Sequence, residues 1–213
     1  KAAQVVLPRL AAPPKVDGSL AEWSAVGSAV AIGEKEGVGA RFRAAWDPAG
    51  LYLAVSVKDG KLVPPGADEG QWWERDSVEF WINETQYAVR FGAWGTNVWS
   101  SAGDVAGASA AFDETADGYA VEVMMPARLF GSPKNPGGQL RLAVGVNSAD
   151  DASGRKIQLY YPATWQHSNS GTFAVALLAD EHGVVPTGKA DPGPRLAPAA
   201  GKGAPGTAAF RGT

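Results

Sequence analysis

The chain has 213 residues, with 27 Gly, 15 Pro and 8 Trp, no Cys, and a formal net charge of -3. That length can bury the core of one sandwich-sized domain with residues to spare. The slight acidity without a basic block argues against a nucleic-acid partner, and no apolar run reaches the length of a membrane span. The lack of Cys excludes disulfides, thiolate metal sites and thioether-linked haem.

Residues 1–11 read as an extended lead-in with an edge strand at Gln4–Leu7. The start at Lys1 rather than Met suits a processed export signal or a trimmed beginning. Asp17-Gly18 is a tight-turn pair. Ser19 with Glu22 three residues on makes a capping-box pattern opening a short helical turn, and Trp23 behind it reads as a core plug.

Strands then follow in quick succession. Val38–Trp46 leads to a turn at Asp47-Pro48-Ala49-Gly50. Leu51, Leu53, Val55 and Val57 then alternate with Tyr52, Ala54, Ser56 and Lys58. The Lys61–Gln71 loop runs into Trp72-Trp73-Glu74-Arg75-Asp76 and a strand over Ser77–Asn83. There Val78, Phe80 and Ile82 form a core face, while Ser77, Glu79 and Trp81 point the other way. Tyr87, Val89 and Phe91 point inward from Gln86–Ala93, leaving Ala88 and Arg90 outside. Trp94–Ala111 reads as a long connection. Tyr119–Met125, stopped by Pro126, gives the next strand and is followed by a helical turn at Ala127–Phe130. Leu140–Val146, Ile157–Tyr161 and Thr172–Leu178 complete the set. Short strands at this spacing with little helix pattern predict an all-β, two-sheet antiparallel β-sandwich over 12–180.

Glu181–Thr213 changes to Ala, Gly and Pro, a composition too poor in apolar bulk to order itself. The expectation is a non-globular tail at 181–213 that lies along its own domain or is held by other protein subunits.

The outer set of the Ser77–Asn83 strand carries chemistry. A loop tryptophan beside a sheet face bearing a carboxylate is how proteins hold flat polyhydroxylated rings. The indole stacks on the C–H face of a sugar while acid and amide groups take its hydroxyls. The plainer alternatives are Trp73 as a loop plug, Trp165 as a lid over the core, and Glu79–Arg90 as a cross-strand ion pair.

Five segments in order resemble carbohydrate-binding modules of family 9. They are Pro14-Lys15-Val16-Asp17-Gly18 through Glu22-Trp23, Trp46–Asp59 with its Leu51-Tyr52-Leu53 start, Trp73-Glu74-Arg75-Asp76-Ser77-Val78-Glu79, Tyr119–Pro126, and Gly171-Thr172-Phe173-Ala174-Val175-Ala176-Leu177. The resemblance spans roughly Ala12 to Ala179. It implies a DOMON-like sandwich and a non-catalytic, extracytoplasmic module that binds a saccharide end between two tryptophans. Trp73 and Trp165 match the clamp, and Glu79 and Arg90 match hydroxyl-binding groups on the sheet. Gln166 and Asn169 stand where a loop amide is expected. The resemblance also implies structural calcium, for which Asp59 and Asp76 are the candidates, with Asp68 and Glu69 nearby.

Two other classes compete. One is a structural or assembly subunit that keeps the sandwich without binding sugar and docks through its tail. The other is a haem b domain with Met124 or Met125 and His167 or His182 as axial ligands, which requires sulfur and imidazole to meet across an apolar slot. An enzyme is not expected, because the chain lacks an elbow serine, a HExxH motif and a Cys nucleophile.

Overall fold

The computed structural model describes residues 2–131 and 135–186. The expectation of a subunit contact by the tail falls, beyond residue 186, outside them. The strands are β1 (Gln4–Leu7), β2 (Val30–Lys35), β3 (Val38–Asp47), β4 (Gly50–Lys58), β5 (Ser77–Ile82), β6 (Thr85–Gly92), β7 (Gly95–Ser100), β8 (Ser109–Thr115), β9 (Gly118–Pro126), β10 (Gln139–Ala149), β11 (Arg155–Tyr161) and β12 (Ala174–Leu178). The helical pieces among the described residues are single 3-10 turns. As expected, the fold is a two-sheet sandwich.

One sheet has seven strands in the order β1-β12-β10-β5-β6-β7, with β11 paired to β10; the other has five, β2-β3-β4-β9-β8. β10 organises the larger sheet. Its first half, Leu142 included, pairs with β12, and Val144 to Ala149 pair with β11, while β5 runs along the opposite edge. Among the described residues the strand pairings are antiparallel except β1 with β12, where the lead-in strand joins in parallel.

The inner faces follow the period-2 pattern of the sequence. Phe42, Leu53, Val55, Val78, Phe80, Tyr87, Val89, Phe91, Val121, Met125, Leu142 and Val144 are buried between the sheets. Each fully buried side chain of this size contributes about 1.5–3 kcal/mol. Three strands went unrecognised in the sequence: β2, β7 and β8. β7 (Gly-Thr-Asn-Val-Trp-Ser) and β8 (Ser-Ala-Ala-Phe-Asp-Glu-Thr) lie toward sheet edges and have no run of buried apolar residues to mark them.

The outer face of the five-stranded sheet is half covered by the protein's own chain. Residues 10–26 cross it and pack Leu10, Leu20, Trp23 and Val26 against Ala45, Tyr52, Ala54 and Met124. The Glu122 carboxylate on β9, almost fully buried, holds this strap. It accepts hydrogen bonds from the backbone N–H groups of Asp17 (2.9 Å) and Gly18 (2.6 Å) and from the Trp23 indole (2.6 Å). Trp23 is thus the core plug expected. The capping box is a correction: a 3-10 turn forms at Glu22–Ala25, but its N-cap is Ala21, with no side-chain cap. Glu22 instead accepts from the Lys15 N–H at 2.5 Å, because the chain bends back at the Asp17-Gly18 turn.

Candidate saccharide site

The outer face of the seven-stranded sheet is built differently. Strand alternation puts Ser77, Glu79 and Trp81 of β5 on it, and pairing sets them beside Asn147, Gly145 and Ala143 of β10. Gln158 and Tyr160 of β11 extend the same rows on one side, and Gln86 and Ala88 of β6 on the other. The floor is therefore polar and cross-linked. Asn147 donates through Nδ2 to Ser77 Oγ (3.1 Å) and to Glu79 Oε1, while its Oδ1 accepts from Gln158 Nε2 (2.9 Å) and Arg155 Nη1 (3.1 Å). Gln86 Nε2 donates to the other Glu79 oxygen at 2.7 Å. Such a network keeps its members in one geometry, because freeing any one strands a buried polar group.

Glu79 is the centre of this floor and only 3% exposed. Burial pushes its carboxyl above the ordinary range, while the hydrogen bonds from Asn147 and Gln86 and the charge of Arg155 pull it partly back. Tyr160 is held as a neutral phenol by burial and by the neighbouring Glu79. It crosses β10 at Gly145, where a Cβ would stand 2.3 Å from the Tyr160 ring. Only glycine lets the phenol lie flat there.

Aromatic groups stand at the two ends of this floor. At the start of β5, the 3-10 turn Trp72–Glu74 puts the buried Trp72 against Trp99 (5.3 Å between ring centres) and edge-on to Trp73 (5.5 Å, 84°). Glu74 Oε2 accepts from the Arg155 N–H (3.1 Å), and the Arg155 guanidinium reaches the Trp73 carbonyl (3.5 Å), so this turn is tied to β11. At the far end, the loop after β11 folds down over the sheet. Trp165 stacks on Tyr160 (3.7 Å, 14°) and tilts against Trp81 (5.0 Å), with Phe173 alongside.

The expected site residues are distributed as follows. Trp73 and Trp165 are half-buried at opposite ends of the floor and make no ring contact with each other. One face of Trp165 is already covered by Tyr160. Its indole N–H is buried without a hydrogen-bond partner. Trp81 points to the outer face as expected but is only 2% exposed, packed there because Trp165, Tyr160 and Phe173 close over it. The cross-strand pair of Glu79 with Arg90 is corrected. β5 register sets Glu79 opposite Ala88, and Arg90 donates to Asn97 (3.1 Å) with its guanidinium 5.9 Å from the Trp94 ring centre. Gln166 and Asn169 are exposed and bond to each other (3.2 Å) rather than to the floor. Asn147, Gln158, Arg155, Tyr160 and Gln86 were missed. Alternation was the available signal for Asn147, Gln158, Tyr160 and Gln86, each on the non-core side of a strand whose inward residues are apolar; Arg155 shares the parity of the inward Ile157 and Leu159 and reaches the floor through the register shift beside Ala149.

Asp59 and Asp76 lie elsewhere, under the loop between β4 and β5. Asp76 bridges that loop to β10, accepting from the N–H groups of Val63 (2.6 Å) and Ala149 (2.8 Å). Burial, with a lesser contribution from the charge of Asp59, pushes its pKa up to about 6. Asp59 Oδ1 accepts from Lys61 N–H, but its buried Oδ2 has no partner, and neither does the buried Tyr119 hydroxyl. A carboxylate oxygen without a partner beside a second buried carboxylate is the kind of oxygen donor a hard cation takes. The fit is limited to two carboxylates, as the described residues contain no cluster of three or more acidic, His or Cys side chains.

The haem arrangement does not form. Met125 is in the core, Met124 packs under the strap on the outer face of the five-stranded sheet, and His167 stands above the other sheet. A depression of about 700 Å³ on the five-stranded sheet, lined by Arg41, Ser56, Lys58 and Asp113, offers no exposed aromatic ring for stacking.

The comparisons agree with this fold. A family 9 carbohydrate-binding module from Caldicellulosiruptor kristjanssonii in complex with cellotriose superposes with a TM-score of 0.67 at 21% identity, covering 88% of this chain and 100% of that one. The glucose complex of a family 9 module from the same organism gives 0.67 at 21% identity, over 83% and 96%. No match is found among curated proteins. The sequence model described as carbohydrate family 9 binding domain-like matches residues 18–180, most of the chain, and the protein belongs to that family.

Proposed function

We propose that this domain is a non-catalytic, extracytoplasmic module that binds a saccharide end on the outer face of its seven-stranded sheet. The observation that carries this reading is the floor centred on Glu79. Buried hydrogen-bonding groups are already oriented by one another there, with indoles at either end. A sugar needs both components, a flat apolar surface for its C–H face and fixed acceptors and donors for its hydroxyls. In this reading Trp73 and the face of Trp165 turned from Tyr160 are the clamp. Glu79, Arg155, Asn147 and Gln158 read the hydroxyls, while Arg90, Gln166 and Asn169 lie at the rim. The related modules bound to cellotriose and glucose support the ligand class.

Trp73→Ala tests this. Isothermal titration with glucose and cello-oligosaccharides is expected to lose about 1–3 kcal/mol, the scale of one ring stacked on an aromatic side chain, with an unchanged unfolding midpoint. Unchanged affinity removes Trp73 from the site.

The same reading includes a structural calcium ion at Asp59 and Asp76, supported by the orphaned Asp59 oxygen. Bound there, it would screen the two carboxylates and brace the loop that carries Trp72 and Trp73. Calcium is expected to stabilise the folded form by RT ln(1 + [L]/Kd), about 2.7 kcal/mol at a hundredfold excess over Kd, and so to raise the thermal midpoint. EGTA should reverse the gain and Asp59→Asn should abolish it. A calcium-independent midpoint in the wild type rejects the ion.

A further inference from the structure

The groups placed to read a sugar are closed off in this structure. Glu79, Ser77 and Asn147 are 3%, 0% and 0% exposed. A hydroxyl cannot reach an acceptor that water does not reach, so a saccharide at Glu79 requires a cover to move. The loop between β11 and β12 lies against this part of the floor. Its Trp165 stacks on Tyr160 (3.7 Å, 14°) and tilts against Trp81 (5.0 Å), and its His167 is near enough to act electrostatically on Glu79.

Three features make this loop separable from the sheet. Its hydrogen bonds are its own. Among the described residues, those of 163–172 close within 162–173, including Trp165 N–H to the Pro162 carbonyl (2.8 Å), Thr164 Oγ1 to the Thr172 carbonyl (3.1 Å) and Asn169 Nδ2 to Gln166 Oε1 (3.2 Å). The loop can therefore lift as a unit without losing them. Its grip on the sheet is one-sided: aromatic contact holds it at Trp165, while a hollow of about 440 Å³ lies beside His167 and Ser170. Segments with few packing contacts open at the low end of the stability range. The closed position is also imperfect, because the Trp165 indole N–H is buried there without an acceptor. Lifting returns that donor to water and removes the cost of leaving it unpaired.

We propose that residues 163–172 form a lid, closed in this structure, and that the module takes its saccharide by opening: Trp165 leaves Tyr160 and the floor at Glu79 is uncovered. The inference rests on the saccharide reading of the floor and adds the gate that controls it. Because sugar binds only the open form, the apparent Kd is the intrinsic Kd divided by the open fraction. Weakening the seat of Trp165 therefore tightens binding, the opposite of what removing a sugar contact does.

The test is isothermal titration of the full chain with glucose and cellotriose, in wild type, Tyr160→Ala and Tyr160→Leu. The leucine variant keeps an apolar seat without the stack and decides the matter if the alanine variant fails to fold. Both sugars are expected to bind the Tyr160 variants more tightly than wild type, by about tenfold if the lid is open about one-tenth of the time. In wild type labelled with 5-fluorotryptophan, the Trp165 fluorine resonance, identified by its loss in Trp165→Phe, is expected to shift on saturation with glucose toward its position in Tyr160→Leu. An unmoved resonance, or affinities no tighter in the folded variants, overturns the lid and leaves the floor standing. Sugar bound by Tyr160→Leu but not by wild type supports a lid that is firmly shut. Failure of wild type and variants alike to bind any sugar removes the floor reading and the lid with it.

Discussion

The two outer faces of the sandwich make a useful pair, because each is centred on a buried carboxylate and they serve opposite ends. On the five-stranded sheet, Glu122 is fully used by the protein's own chain: two backbone N–H groups and the Trp23 indole converge on it, and the strap at 10–26 is pinned flat. On the seven-stranded sheet, Glu79 is bonded by side-chain amides of the sheet itself. A carboxylate satisfied by backbone fixes the fold. One oriented by amides, with aromatic rings at either end, is the arrangement on which the proposed saccharide site rests. The difference lies in where the donors come from rather than in burial, since Glu79 and Glu122 are 3% and 1% exposed.

The largest expected effect breaks the structural half of the comparison. Glu122→Ala leaves three donors without their acceptor, and each buried unsatisfied donor costs about 1–3 kcal/mol. A loss of about 3–5 kcal/mol in denaturant unfolding is expected, with saccharide affinity of the folded fraction unchanged. A loss below about 1 kcal/mol would mean the strap holds by its apolar contacts alone.

The middle-sized effect sharpens the contrast through pH. Burial holds the folded-state pKa of Glu79 above its ordinary value of 4.5, so protonation favours the folded form. As pH falls from neutral through the folded-state pKa toward 4.5, wild type should gain stability relative to Glu79→Gln. The gain should be complete below that value. Saccharide affinity should fall over the same interval, because a protonated Glu79 accepts fewer hydroxyl hydrogen bonds. Denaturant midpoints and titration calorimetry across pH check both signs, and an affinity that stays level over this interval would remove Glu79 from the site.

The smallest effect concerns Arg90. With its Nε spent on Asn97 and its guanidinium beside Trp94, Arg90→Ala should cost less than about 1 kcal/mol in stability. It should change saccharide affinity less than about threefold, as measured by the same titrations. A tenfold loss would move Arg90 from the rim to the floor.

Legibility in the sequence followed periodicity. Val78-Glu79-Phe80 and Tyr87-Ala88-Val89 announce both their strands and which side chains face out, and Glu79 was read correctly as non-core. The same rule applied to Val146-Asn147 and Ile157-Gln158-Leu159-Tyr160 would have yielded Asn147, Gln158 and Tyr160, though not Arg155, which a register shift brings out. What periodicity cannot report is what lies above a face. Trp81 points away from the core yet is buried, because a loop more than eighty residues later folds back and places Trp165 and Phe173 over it. Arg90 faces the right side, but its partner comes from β7, a strand without an apolar signature.

The amino-acid sequence alone determined the sandwich, its inward residues and the family, since these depend on local alternation and on short segments in a set order. Only the tertiary structure decided which carboxylate became a strut for the strap and which the centre of the polar floor. It also decided that Glu79 answers to Asn147 and Gln86 rather than to Arg90. The physical reason is that a strand specifies the side to which a residue points, whereas its hydrogen-bond partners come from strands and loops distant in the chain, whose register only packing sets.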